Sequence, residues 1–120
     1  MRWSPSPDAK VYLAVGATDM RKSIIGLALW VSDILEINPM CPHWFVFCGK
    51  QKNKIKILQW EHNGFWLHYC RLEKDKFHWP KNNADIEAIA ITSRELHWLL
   101  DGLQWEKTRG HRAVNYKYVG

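Results

Sequence analysis

Apolar and polar residues alternate from Lys10 to Val15, with Val11, Leu13 and Val15 on one face, and this period of two predicts a strand. Gly16 closes it. The period then lengthens. Met20, Ile24, Leu27, Val31 and Leu35 recur at intervals of four, three, four and four, and Ile25, Leu29 and Trp30 widen that stripe into the apolar face of a helix. Thr18 occupies the N-cap position, and Asp19 falls in the first turn, where the helix macrodipole favours negative charge. Asn38-Pro39 stops the helix near residue 37.

The middle third reads as an antiparallel meander. Trp44–Cys48 is an aromatic and β-branched strand, residues 49–53 form a polar turn, and Lys54–Trp60 begins with charge alternating against Ile55 and Ile57. Asn63-Gly64 is a two-residue hairpin signal leading into a third strand over Phe65–Leu72. A charged turn at Glu73–Lys76 precedes a short fourth strand, Phe77-His78-Trp79, ended by Pro80. Another short strand lies within residues 85–91. Thr92-Ser93-Arg94-Glu95 then fits a capping box ahead of a short helix marked by Leu96, Leu99, Leu100 and Leu103, closed near Gly102.

These elements predict an α+β fold: an antiparallel β-meander with one long N-terminal helix and one short C-terminal helix packed on one sheet face. The other face would present some of Trp60, Trp66, Tyr69, Phe77 and Trp79. Trp98 neighbours the leucine stripe and Trp105 follows the helix, and both are expected as core or lid. The expected organisation is a flexible lead-in at 1–9 containing Ser4-Pro5-Ser6-Pro7, a single domain at 10–105 and a basic tail at 106–120.

Composition narrows the possibilities. With 120 residues, 47% of them apolar and 24% charged, the chain suits one domain with a core of its own, and wholesale disorder is excluded. Its apolar runs fall short of the roughly 18 residues that cross a bilayer, and no secretory signal is expected at the start. Cys41, Cys48 and Cys70 are then read as free thiols in a reducing cytoplasm. Together with His43 and His68 they do not reproduce the spacing of a structural zinc site. The net charge of +5 and pI of about 9.2 favour a polyanionic partner.

Catalytic chemistry finds little support. Phosphate-binding glycine motifs, H-E-x-x-H and G-x-S-x-G do not occur. Cys70 and His68 share a strand face at i and i+2, but no third group or oxyanion hole accompanies them. Asp19 and Glu95 suit helix starts, Glu73 and Asp75 a turn, and Asp33 and Glu36 a wet helix face, so no carboxylate set demands a metal. Neither a cofactor nor a small-molecule ligand is expected.

The basic residues carry the sharper expectation. Lys50, Lys52, Lys54 and Lys56 alternate through the first hairpin turn into its strand, predicting one face with four ammonium groups; Arg71, Lys74, Lys76 and Lys81 come from neighbouring strand ends and turns. Two roles fit. The lysines could guard a solvated sheet edge against aggregation, or they could hold phosphates with a Trp nearby for stacking. Arg109 and Arg112 in the tail could add to the second role. Arg21 and Lys22 oppose the macrodipole of the expected helix, which asks for an ion pair or an anionic ligand, the ion pair being favoured.

Several segments together match a known family. They are Leu13–Ser23 with its Thr18-Asp19-Met20-Arg21-Lys22 block, Phe45-Val46-Phe47, Ile55–Trp60, and Arg71-Leu72-Glu73-Lys74 running on to Phe77-His78-Trp79-Pro80, followed by Leu99-Leu100-Asp101-Gly102-Leu103-Gln104-Trp105. Across residues 10–106 the chain resembles the small TnpB accessory proteins, encoded by the second open reading frame of insertion sequence 66 type transposable elements. The resemblance implies a non-catalytic role in transposition beside a separate, larger transposase, with the element-end DNA, that transposase, or both as partners. It transfers no catalytic residue. Cys48 stands where family members often carry Arg, and the following turn is rich in Lys, which forgoes the bidentate grip of Arg on phosphate. Ser23 replaces the usual Gly. Two other readings stay open: a protein–protein adaptor working through the aromatic sheet face, and a small metal-dependent nuclease.

Overall fold

The computed structural model describes residues 5–81 and 85–102. Five strands form one sheet: β1 (Val11–Ala14), β2 (Trp44–Cys48), β3 (Lys54–Glu61), β4 (Gly64–Arg71) and β5 (Ala88–Ile91), in the spatial order β4-β3-β2-β1-β5. Helix α1 (Ile24–Trp30) continues into a π-helical turn at Val31–Leu35, and α2 spans Ser93–Leu100.

The sheet is mixed, not a pure meander. β2, β3 and β4 follow one another antiparallel, and β5 is antiparallel to β1, but β1 and β2 run parallel with Val11 opposite Trp44 and Leu13 opposite Val46. The cause is the connection: residues 15–43 cross over through α1, and a crossover of that length returns the chain in the same direction. This places β1 and β2 at the centre of the sheet, where both faces are covered. All of Val11–Ala14 and Trp44–Cys48 are buried, so these strands read as continuous apolar runs.

Each helix covers its own face, against the expectation that both share one. Leu27, Val31 and Leu35 pack with Tyr12, Phe45, Phe47 and Leu58 on one side. Leu96 and Leu99 pack with Leu13, Val46, Ile55, Ile57 and Ile89 on the other, joined by Phe77 and Trp79.

The long N-terminal helix is also corrected. Its α-helical part is seven residues, shorter than the eight of α2. It starts at Ile24, because Thr18–Lys22 forms a turn of its own instead of a first helical turn. The π turn follows from the spacing of the stripe. Leu27, Val31 and Leu35 are four apart, which on a 3.6-residue helix drifts about 40° per step. Closing the Glu36 N–H on the Val31 carbonyl, five residues back, widens the turn and keeps Leu35 on the sheet. Ile25 and Leu29, expected in the stripe, lie 71% and 55% exposed.

Other differences are local. The β3–β4 turn centres on His62 and Asn63, one residue early, with His62 at φ 59° and Glu61 paired to Gly64. Phe77–Trp79 joins no strand ladder; it lies across the α2 side as a buried segment. The capping box is present: the Thr92 hydroxyl accepts from the Glu95 N–H and the Glu95 carboxylate accepts from the Thr92 N–H. Just past β4, the Leu72 N–H reaches the carbonyl of Asn53, the residue before β3. Alternation from there turns the backbone groups of Arg71, Tyr69, Leu67 and Phe65 outward, along an edge that no described strand covers.

Candidate nucleic-acid interface

Three segments meet at one corner of the sheet: residues 14–22 leaving β1, the β2–β3 turn at 49–53, and residues 72–81 after β4. Backbone hydrogen bonds tie them. The Thr18 N–H donates to the Cys48 carbonyl (2.8 Å), the Gly16 N–H to Pro80 (3.2 Å), and the Phe77 N–H to Lys52 (2.7 Å). The Trp79 indole N–H is shared between the carbonyls of Ala14 and Gly16, each at 3.0 Å. Gly16 takes φ 79°, a conformation that costs glycine little. Gly49 is needed for another reason: a Cβ there would lie 2.8 Å from Met20 Cγ.

The β2–β3 turn is closed by Lys52 N–H to the Gly49 carbonyl and Gly49 N–H to the Lys54 carbonyl, both at 3.0 Å. Lys52 sits at φ 62°, left-handed backbone that costs a non-glycine residue on the order of 1–2 kcal/mol. The hydrogen bonds on either side of it hold that geometry.

The four hairpin lysines do not share one face. Lys54 and Lys56 do, on the α1 side, where Lys54 pairs in register with Arg71 and Lys56 with Tyr69. Lys50 and Lys52 lie in the turn, where strand alternation no longer applies. Lys56 is committed to the scaffold: its ammonium donates to the carbonyls of Met20 (2.6 Å) and Lys22 (3.1 Å), pinning the loop before α1 to β3. Arg71 is bonded to Glu73 through Nε and Nη2, both at 3.0 Å. Lys74 and Lys76 line a hollow together with Asp75 and Asp101, forming no ion pair with them among the described residues. Lys50, Lys52 and Lys54 enter no ion pair among the described residues. Neither does Lys81, which shares a small cleft of about 170 Å³ with Lys50 and Lys52. That convergence escapes the sequence, because the bonds that bring residues 77–81 to the turn are between backbone atoms. Arg109 and Arg112 lie outside the described residues, as does Trp105.

The Thr18–Lys22 block resolves as an ion pair. Arg21 grips Asp19 with Nη2 on Oδ2 at 2.8 Å, while its backbone N–H caps Oδ1 at 2.9 Å. These bonds hold the Asp19 carboxyl down at about 2, against an ordinary 3.8. Lys22 makes no ion pair among the described residues.

The remaining motif residues are framework. Trp60 packs edge-to-face on Phe65 at 4.9 Å, Leu72 rests against the α2-side core, and Trp79 and Pro80 are buried. Of the five aromatics of which some were expected on display, Trp66 and Tyr69 are 57% and 55% exposed, whereas Phe77 and Trp79 are buried at 2% and 6%. Trp98 packs against the core as expected.

His68 stacks near the rings of Trp44 and Trp66, at 6.3 and 6.2 Å between centroids, with Nε2 at 2.8 Å from the Gln59 amide oxygen, and its burial lowers its proton affinity. Cys70 is exposed, and burial pushes the Cys48 thiol up to about 12. No three His, Cys, Asp or Glu side chains converge to hold a metal among the described residues. No helix among them is long and apolar enough to cross a membrane.

Comparison with known proteins gives a consistent picture. A protein of Sinorhizobium fredii named "uncharacterized protein y4hO" is 37% identical over 98 residues, covering 82% of this chain and 84% of its own length. A second from the same organism, "uncharacterized protein y4jC", is 28% identical over 105 residues, covering 88% of each. No solved structure matches. The family model of IS66 Orf2-like proteins matches residues 9–110, the braced corner and both helices included, and the chain belongs to that family.

Proposed function

We propose that this protein is a non-catalytic accessory factor of DNA transposition that holds DNA by its phosphates at the braced corner. Membership of the IS66 Orf2-like family suggests the accessory role in transposition. The DNA contact rests on one observation: Lys50, Lys52, Lys54 and Lys81 gather around a corner fixed by backbone hydrogen bonds, without an ion pair among the described residues. Unneutralised charge on a rigid frame is what releases counterions from a duplex. Lys56 supports that frame and Arg71 is engaged by Glu73, so both contribute less directly. The catalytic step would belong to the separate transposase.

Fluorescence anisotropy with a labelled element-end duplex and a scrambled duplex, at several salt concentrations, tests the reading. Replacing Lys50, Lys52 and Lys54 together by Ala should weaken binding and flatten log K against log salt by about 0.9 per lost phosphate contact. Unchanged affinity and slope would refute it.

A second reading, the adaptor, draws support from a different surface than the sequence suggests. Ile25, Leu29 and Met40 are exposed along an apolar groove of about 320 Å³ between α1 and the segment before β2. Exposed patches of this kind mark partner sites, and the transposase is the partner that this reading names. Ile25→Glu/Leu29→Glu would then abolish co-purification with the transposase while leaving DNA binding intact.

A further inference from the structure

We infer that the cleft lined by Gly16, Gly49, Lys50, Lys52, Trp79 and Lys81 is a subsite for a single phosphodiester group of the DNA backbone, an assignment that rests on the DNA-binding reading above. At about 170 Å³ it is smaller than the roughly 300–1,000 Å³ of sites that enclose whole organic ligands, so it suits one phosphate and not a nucleotide. Three of its lining residues are lysines and none is acidic. Each lysine is a point charge with three donors, which matches a tetrahedral group with acceptors in several directions better than a planar carboxylate. Trp79 contributes an apolar wall, since its indole N–H is spent on Ala14 and Gly16. The cleft is also preorganised: Lys52 is held at φ 62° by the bonds on its own N–H and carbonyl, and Pro80, next to Lys81, is bonded to Gly16. A site built this way spends little ordering entropy on binding beyond the lysine side chains.

The test uses the full chain and two probes, dimethyl phosphate and the labelled element-end duplex. In ¹H–¹⁵N spectra, dimethyl phosphate should shift the amides of Gly16, Gly49 and Lys52 and the Trp79 indole N–H together. Lys81→Ala, an exposed position, should weaken duplex binding about five-fold near 0.15 M salt and lower the salt slope by about 0.9. Lys10→Ala, exposed and outside the cleft, should leave the slope unchanged. If the duplex binds but Lys81→Ala keeps the parent slope and the cleft signals stay still, the subsite is wrong and the DNA-binding reading survives. If dimethyl phosphate moves the cleft signals while no duplex binds, the assignment to DNA is overturned, leaving a small-oxyanion cleft.

Discussion

Lys56 offers the sharpest test of how the basic residues divide their work. Lys56→Met keeps most of the aliphatic stem and removes the ammonium that bridges the Met20 and Lys22 carbonyls at 2.6 and 3.1 Å. A hydrogen bond from a charged donor contributes about 1.5–3 kcal/mol. One of the two here is half-buried and the other exposed, so water recovers part of the loss. The expected net destabilisation is about 2 kcal/mol, near 8 °C in melting temperature for a domain of this size. Lys54→Met, two residues away on the same strand, removes a cation with no ion pair among the described residues and should stay within about 0.5 kcal/mol of the parent. Urea unfolding of both variants, followed by circular dichroism, reads the difference directly. For DNA the order reverses: Lys54→Met should flatten the salt dependence more than Lys56→Met. Equal stabilities for the two variants would sink the claim that Lys56 is a structural brace.

Three further outcomes follow from the same geometry. Gly49→Ala should destabilise by about 1–3 kcal/mol through the clash with Met20, and Met20→Ala should relieve part of that, so a double-mutant cycle reads a coupling above about 0.5 kcal/mol. The Asp19 carboxyl should titrate near 2 by NMR and return toward 3.8 in Arg21→Ala; because its folded value is depressed, its support for the turn is present above pH 4 and lost as pH falls through about 2. An alkylating reagent at pH 8 should label exposed Cys70 rapidly and leave buried Cys48, its thiol raised to about 12, unlabelled until the chain unfolds.

The elements that the sequence discloses are those whose signals are local. The Thr92–Glu95 capping box, the alternation at Lys54–Ile57 and the aromatic run at Trp44–Cys48 all specify their own structure. What stays hidden is non-local. Nothing in β1 states that its neighbour is β2 in parallel, since that depends on how α1 crosses the sheet. Phe77 and Trp79 look like strand residues because β-propensity reports burial as much as pairing, and here they are buried without a ladder. Thr18 resembles a helix cap, yet Asp19 and Arg21 satisfy each other in a tighter turn. In the candidate site, residue type identified the lysines, but their separation into a brace at Lys56, a hollow shared with acids at Lys74 and an open cleft at Lys50 and Lys52 is set by tertiary contacts.

The outward edge of β4 bears on how the protein behaves when concentrated. From Gly64 to Cys70 it carries no Lys, Asp, Glu or Pro, and its single charge, Arg71, is turned toward Glu73. Strand edges that lack such gatekeepers recruit other strands. At high concentration the solubility limit is therefore expected to come from this strand and not from the basic corner, whose like charges keep molecules apart. Trp66→Lys, at a half-exposed position on that edge, would raise that limit without altering the cleft.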